Sequence, residues 1–448
     1  MNVNLLRGSI LKSLFLFAVP LFFSLLFQQL YNVVDTMIVG YYLGDASLAA
    51  VGSCTAVYNL LVGFALGIGN GLAIVTARSF GVGDREQLKK SVASALVIGT
   101  GCSILISVAG SLILKPLLRI LNTPAEIMNE AYSYISLIMV FILVMFAYNL
   151  VAGLLRAVGD SFAPLVFLII SSGLNIGLDF LFIARLGWGV KGAAAATVLA
   201  QGVSSVLCFL YVVKKVKILI PKRNHFEADK NLYKEMLGQG LSMGFMGSIV
   251  SLGSVILQYG INGMGYLYIA AYTTGKKVFS FFYMPSAALG LAISTFVSQN
   301  RGANQRDRIC KAMKIAYICN LIIAVILVGV IFLSSRGLIH FFSGSENPVV
   351  LDNGSLFLTI TGPFYGILGI LSQTRYALQG LGEKIRPLIS SVIELIGKIL
   401  FVWILIPKFQ FMAVVLCEPV IWCVMTAQLV YAFWMNPYIK DIKQSLPS

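Results

Sequence analysis

The sequence predicts an all-α membrane protein with twelve transmembrane helices, arranged as two pseudo-symmetric six-helix bundles (an N-lobe and a C-lobe) around a central cavity. Three observations lead to this fold class: the composition, a series of continuous apolar segments and an internal repeat. Of the 448 residues, 58% are hydrophobic and only 11% are charged, which is more apolar surface than a soluble fold of this length can bury. The apolar runs do not alternate with polar residues, and this excludes a β-barrel.

Twelve apolar segments follow one another along the chain, each long enough to cross a bilayer as a helix at ~1.5 Å per residue. The first is too long for the core of a signal peptide and has no small-residue cleavage site, so it is interpreted as the first span. A polar stretch from Lys214 to Lys234 separates the sixth segment from the seventh. The segments lie near residues 10–40, 47–76, 91–114, 131–155, 163–184, 191–213, 237–262, 266–298, 311–333, 354–379, 387–406 and 411–435.

The distribution of lysine and arginine predicts the orientation. Connections on the side of the N-terminus carry 24 of the 33 basic residues, the opposite side carries 6, and Lys276, Lys277 and Lys398 lie within spans. Basic residues accumulate in cytoplasmic loops, so both termini are expected in the cytoplasm and the protein in the cell (inner or plasma) membrane. The formal net charge of +15 is therefore a signal of topology, and nucleic acid is not an expected partner.

The two halves of the chain repeat each other. Leu43-Gly44 and Leu48-Ala49-Ala50 recur 221 positions later as Met264-Gly265 and Ile269-Ala270-Ala271. The stretch from Leu155 to Asp160 resembles the stretch from Leu378 to Glu383 at an offset of 223. We therefore predict an N-terminal six-helix lobe over residues 1–213, a cytoplasmic linker over 214–236 and a C-terminal six-helix lobe over 237–448, as in alternating-access transporters.

Several motifs, taken in order and spacing, resemble one transporter family. They are Pro20…Asp35-Thr36…Val39-Gly40…Gly44…Leu48-Ala49-Ala50, then Leu155-Arg156-Ala157-x-Gly159-Asp160, then Gln299-Asn300-x-Gly302-Ala303. The chain is similar over nearly its whole length to the multidrug and toxic compound extrusion (MATE) transporters of the multidrug/oligosaccharidyl-lipid/polysaccharide flippase superfamily. The resemblance implies antiport, in which an organic, often cationic and amphipathic substrate leaves the cell as H⁺ or Na⁺ enters.

Polar residues at matching depth predict an ion site in the N-lobe. Asp35, Asp179 and Thr197 each lie five or six residues from the outer end of a span, roughly 8–10 Å deep at ~1.5 Å per residue. Asn175 lies one helical turn below Asp179 on the same face. Two carboxylates, an amide and a hydroxyl suit a hard cation such as Na⁺, and two neighbouring acids also suit a proton. These four positions match the cation site of the family. A buried polar network that only fixes helix packing is the alternative.

The fifth apolar segment (163–184), which carries Asp179, also contains two glycines that face away from this acid. Gly173 and Gly177 lie on the opposite side of the helix, and we expect that side to pack closely against another helix.

The C-lobe carries charges of both signs within its spans. Glu394 and Lys398 have the i, i+4 spacing of a helical ion pair, with an anion or substrate contact as the alternative. Lys276 is expected either to pair with Glu418 or to face the cavity, while Lys277 matches a basic position of the family. Segments 237–262 and 354–379 contain no acid, although one branch of the family has acids there. Ion coupling is therefore expected in the N-lobe alone.

These observations favour a secondary active exporter of small organic compounds. A flippase of lipid-linked oligosaccharide or a related amphipathic lipid is the alternative, and a passive channel or an intramembrane enzyme is less favoured. His225 and His340 are expected in loops, and no paired nucleophile and base lies within the spans. We expect no cofactor beyond H⁺ or Na⁺ as coupling ion, the lipid bilayer as surroundings and a monomeric assembly.

Overall fold

The computed structural model describes residues 3–121, 123–227 and 229–440, and this part of the chain is helical without any β-strand. Its helices are α1 (Ile10–Leu43), α2 (Asp45–Ser53), α3 (Thr55–Val82), α4 (Arg85–Ile120), α5 (Met128–Val140), α6 (Ile142–Ala157), α7 (Phe162–Asp179), α8 (Val190–Lys215), α9 (Lys230–Asn262), α10 (Tyr266–Gly302), α11 (Arg306–Ser343), α12 (Pro348–Thr361), α13 (Tyr365–Gly380), α14 (Ile385–Leu400), α15 (Ile406–Trp434) and α16 (Pro437–Lys440).

The apolar helices account for the predicted spans. Within the described residues, ten helical stretches are long and apolar enough to cross a membrane, and α5 with α6, bent by 50° at their junction, form an eleventh. One of the ten, the stretch from Ile385 to Trp434, is two spans long. Gln410 interrupts it with φ 48° and ψ −132°, a conformation outside the helical region. The all-helical membrane fold is confirmed.

Helix ends follow the local sequence. The Asp84 side chain accepts a 2.8 Å hydrogen bond from the Glu86 N–H and caps α4. In the second half, the Asn347 side chain accepts from the Val349 N–H at 2.9 Å, and Pro348 occupies the first position of α12. Side-chain acceptors at these positions satisfy N–H groups that have no partner within the helix.

Both halves place a glycine in the left-handed region at equivalent turns. Gly44 and Gly265 have φ of 83° and 97°, and Gly159 and Gly382 have φ of 93° and 90°. Side chains rarely adopt this conformation, so glycine is needed at each turn. The internal repeat inferred from sequence is thus a repeat of backbone conformation.

A second shared feature was not expected. The helix after Asp179 widens into a π-helical turn over Phe180–Arg185, and the helix after Leu400 does the same over Phe401–Leu405. Such wide turns are rare and are frequently found at functional sites. At the repeat offset of 223, residues 180–185 correspond to 403–408, so the two turns lie in equivalent helices and overlap at residues 403–405.

The described chain forms two compact units that share two helices. One unit contains the residues up to Leu6 and Val19–Ser248, and the other contains Arg7–Ala18 and the residues from Ile249 onward. Helices α1 and α9 therefore each begin in one unit and end in the other. The predicted boundaries at residues 213 and 237 stay a prediction.

Glycines bring α3 and α9 into close contact within the first unit. A Cβ on Gly67 would lie 2.7 Å from the Gly244 Cα, and a Cβ on Gly71 would lie 2.6 Å from the Gly240 Cα. Such close approach of two helices requires residues without side chains. By contrast, a Cβ on Gly173 or Gly177 would meet no atom of the described residues within 4 Å. The expected close packing of that side of α7 is wrong.

The polar segment between the halves is part of the first unit. His225, which is 1% exposed, lies in a short 3₁₀ turn, and its Nε2 is 2.7 Å from Oε2 of Glu86 in α4. Its Nδ1 accepts a 2.7 Å hydrogen bond from the Lys222 N–H. His340 lies within the last turn of α11, so its expected place in a loop is wrong.

Candidate functional site

Two acids from different helices meet in the first unit. Asp35 lies in the last third of α1, and Asp179 is the final residue of α7, directly before the π-helical turn. Their carboxyl groups lie close enough to influence each other electrostatically. Two ionised carboxylates buried near each other repel, and this favours a proton on one of them or a cation between them. The pair can therefore hold a shared proton or a bound cation.

The polar atoms of this pair have few partners. Among the described residues, no group donates a hydrogen bond to Oδ1 of Asp35 or to either carboxyl oxygen of Asp179. The side-chain amide of Asn175, one turn before Asp179, likewise has no partner in that part of the chain. Asp179 and Asn175 are 0% and 3% exposed. Buried polar atoms nearly always have a hydrogen-bond partner. The lack of one at these atoms leaves them available to bind a small cation.

No lysine or arginine of the described residues forms a salt bridge with either acid. A buried carboxylate normally has a basic partner or becomes protonated. The N-lobe acids thus depend on a mobile positive charge for their neutralisation.

Thr197 is not joined to the acids. It is half-buried on α8, and within the described chain no hydrogen bond links its hydroxyl to Asp35 or Asp179. Gln201, four residues further on the same face of α8, lies near Tyr31, which is itself close to Asp35. The structure therefore brings together Asp35, Asp179 and Asn175. Thr197 lies on the same face of α8 as Gln201 but makes no hydrogen bond with the acids in the described chain.

Uncharged side chains around Asp35 were missed by sequence reasoning. The Tyr31 hydroxyl lies near the side chains of Gln28 and Gln201 and close to Asp35. Tyr134 of α5 also lies close to Asp35. The spacing of Gln28, Tyr31 and Asp35 places all three on one face of α1, and this was the signal in the sequence.

The charged residues of the second unit pair with each other. Lys276 on α10 contacts Glu418 on α15, with Nζ at 2.8 and 3.0 Å from the two carboxylate oxygens. On α14, the Lys398 Nζ lies 2.8 Å from Oε1 of Glu394. The expected i, i+4 pair is present, and of the two alternatives for Lys276 the structure has the pair with Glu418.

Lys277 differs from the other intramembrane lysines. It is exposed on α10, and no ion pair or hydrogen bond of its ammonium group occurs among the described residues. Thr273 and Ser280, one turn before and one turn after, are exposed on the same face. A polar stripe of this kind inside a membrane span is typical of a helix face in contact with water.

Comparison with known proteins agrees with the fold and the repeat. The family model described as MatE matches the chain twice, over residues 20–181 and 243–404. The "Probable multidrug resistance protein YoeA" of Bacillus subtilis is 29% identical over 399 residues, which cover 87% of this chain and 86% of that protein. The "Probable multidrug resistance protein YpnP" of the same organism is 26% identical over 390 residues, covering 87% of this chain and 86% of the relative.

Solved structures share the whole fold. A structure described as "Crystal structure of MATE in complex with MaL6" superposes with a TM-score of 0.90 over 99% of both chains at 23% sequence identity. Because the two MatE matches together cover well over half of the sequence and the relatives are multidrug transporters, this chain is a multi-pass membrane transporter and not an enzyme. It belongs to the MatE family of multidrug efflux transporters.

Proposed function

We propose that the protein exports organic, cationic and amphipathic compounds in exchange for H⁺ or Na⁺, and that Asp35 and Asp179 carry the coupling ion. The observation that supports this most directly is the proximity of two buried carboxyl groups that no basic residue of the described chain neutralises. Family membership and the multidrug names of the relatives support export of small organic compounds.

The proposed cycle follows from this electrostatic arrangement. When the site is open to the outside, Asp35 and Asp179 take up an ion and substrate is released. When it is open to the cytoplasm, the ion leaves and the next substrate binds. The Asn175 amide oxygen can complete the coordination of Na⁺, which prefers oxygen ligands of this kind. Thr197 is proposed as a further ligand on the basis of its depth and its place in the family pattern.

The proposed setting is the cell membrane, with both termini in the cytoplasm and the chain acting as a monomer. The excess of basic residues on the N-terminal side of the spans supports this orientation. No cofactor is proposed beyond the coupling ion.

A flippase for lipid-linked oligosaccharide is less well supported by these observations. That function favours a cationic cavity, and Lys276, Lys277 and Lys398 were the residues that suggested one. Lys276 and Lys398 are each paired with a glutamate, so their positive charges are compensated. Lys277 alone among the three keeps its charge uncompensated in the described chain.

Efflux from vesicles with separately imposed proton and sodium gradients tests the proposal. Purified protein is reconstituted, a panel of cationic dyes is loaded, and each gradient is applied alone. We expect efflux with one of the two gradients and loss of that efflux in Asp35→Asn and Asp179→Asn, because an amide neither binds a proton nor balances Na⁺.

The matched control is Asp45→Asn. Asp45 is an exposed acid in the first turn of α2, so the same chemical change there should leave efflux unchanged. Normal gradient-driven efflux by both Asp35→Asn and Asp179→Asn would refute the proposed role of the acids, and absence of efflux under either gradient would refute antiport.

A further inference from the structure

The environment of the Lys276 ammonium group resembles a recognition site for an organic cation. Besides its two contacts with the Glu418 carboxylate, Nζ lies 4.4 Å from the centroid of the Phe279 ring. A carboxylate beside the face of an aromatic ring is the arrangement with which proteins bind quaternary and aromatic cations. In this conformation a side chain of the protein occupies it.

The aromatic part of the site is larger than one ring. Phe279 stacks on Trp422 with centroids 5.8 Å apart and planes 17° apart, and on Tyr283 at 5.8 Å and 7°. Tyr365 of α13 meets Phe279 edge-on at 5.5 Å. Trp422 follows Glu418 by four residues and Phe279 follows Lys276 by three, so α15 and α10 each present an aromatic ring beside a charge. The four rings form one aromatic cluster beside the ion pair, and aromatic clusters of this kind attract organic cations.

Lys276 is able to leave this site. Its side chain is 31% exposed, whereas that of Glu418 is 9% exposed, and its four-carbon stem is flexible. The primary ammonium is strongly hydrated and therefore loses less when it moves into water. A quaternary or delocalised cation is weakly hydrated and gains more from the rings. Exchange of one cation for the other keeps Glu418 neutralised, which avoids the large cost of a buried unpaired charge.

The second ion pair of this unit lacks these properties. The side chains of Lys398 and Glu394 are 3% and 12% exposed, and no aromatic ring of the described chain lies over the Lys398 ammonium. Lys398 also interacts electrostatically with Glu418, so the two pairs form one neutral group of four charges. Of the two lysines, only Lys276 is placed for exchange.

We propose that Glu418, Phe279 and Trp422 form a binding subsite for the cationic, aromatic part of a substrate, and that Lys276 occupies it as a tethered substitute until substrate displaces it. This assignment rests on the proposed export of organic cations and adds a location for their recognition in the C-lobe. Lys276 then acts as a built-in competitor that weakens binding and promotes release.

Binding of benzyltrimethylammonium to the purified full-length protein in detergent tests the proposal. All variants are made in an Asp35→Asn, Asp179→Asn background without any ion gradient, so the N-lobe acids contribute nothing. We expect Lys276→Met to bind the probe at least about tenfold more tightly than its parent, because Glu418 is then without its internal cation. Lys277→Met removes the same charge one residue away and should give no gain.

Two further variants complete the design. Adding Glu418→Gln to Lys276→Met should abolish the gain; persistence of the gain, or a folded Lys276→Met without gain, overturns the proposal. If Lys276→Met does not fold, Lys276→Arg decides the matter. Its weakly hydrated guanidinium stacks on rings and pairs with carboxylates more firmly, so the probe should bind at least about threefold more weakly than to the parent, and equal or tighter binding overturns the proposal.

Failure of ion coupling would leave this measurement untouched. Vesicles could show no gradient-driven efflux while Lys276→Met still binds the probe more tightly, or the reverse, so the two proposals fail separately.

Discussion

The two lobes place different charges at the same position of one repeated fold. The two family matches are offset by 223 residues, so Ser171 corresponds to Glu394, and Asn175 corresponds to Lys398. The C-lobe helix therefore carries an acid and a base that neutralise each other at 2.8 Å. The N-lobe helix carries an amide at the position of the base, followed by Asp179, which meets a second acid instead of a lysine.

This difference separates a fixed charge from a mobile one. A buried acid with a permanent basic partner has no need for an ion from solution. A buried pair of acids without such a partner requires a proton or a metal cation. Duplication supplied both lobes with the same helices and the same π-helical turns, and the side chains at two positions then decide which lobe can exchange ions with the solvent.

Breaking the C-lobe pair should have the largest effect. Lys398→Met leaves Glu394 largely buried without its partner, and we expect a loss of about 3–5 kcal/mol in the free energy of unfolding. Denaturant unfolding of the detergent-solubilised protein measures it. The double variant Glu394→Gln, Lys398→Met should recover most of the loss. Equal stability of the single and double variants would show that the pair is not a compensated unit.

Placing a lysine in the N-lobe at the position that corresponds to Lys398 tests the converse. Asn175→Lys places an ammonium four residues before Asp179, where it neutralises the acid permanently. We expect gradient-driven dye efflux to fall at least about 100-fold, equivalent to about 2.7 kcal/mol, while the protein remains folded. Asn175→Met, of similar length but uncharged, is the control and should lose less. If the two variants lose equal activity, the added charge is not the cause.

The smallest effect concerns the uncharged neighbours of Asp35. Tyr31→Phe removes a hydroxyl that lies near Gln28, Gln201 and Asp35. Loss of one polar interaction costs about 1 kcal/mol, so efflux should fall about fivefold. Tyr283→Phe removes a comparable hydroxyl in the C-lobe, which donates to Ser372 at 2.8 Å, and should leave coupling to the ion gradient unchanged. Initial rates of efflux at matched protein content decide the comparison, and equal losses in both variants would contradict an N-lobe role for Tyr31.

Much of the fold could be predicted because burial in a membrane requires long apolar runs, and these are visible in the sequence. The break at Gln410 was expected as a connection between segments, but no residue pattern there predicts its positive φ. The π-helical turns could not be predicted, because nothing in the local sequence of Phe180–Arg185 distinguishes a wide turn from an α-helical one.

The candidate site was predicted in part for similar reasons. Depth counting brought Asp35 and Asp179 to one level, since helical rise is regular. It could not settle their proximity, nor the position of Thr197, because depth says nothing about rotation around a helix axis. The pair Lys276–Glu418 joins residues 142 positions apart, and no spacing rule reaches that far. Gln201 was overlooked because a single amide in a span has no partner visible in the sequence.

The number of residues in the π-helical turn after Asp179 is itself a determinant of the geometry of the site. A wide turn holds one residue more than an ordinary turn of the same helix. Deleting any one residue from Phe180–Arg185 would restore a regular helix and rotate Asp179 by about 100° relative to the chain that follows. None of these six side chains needs to touch the ion for such a deletion to be harmful. Among relatives, gaps in this region should therefore fall in the loop beyond Leu186, and an aligned sequence with one residue fewer within the turn would have its acid at a different position.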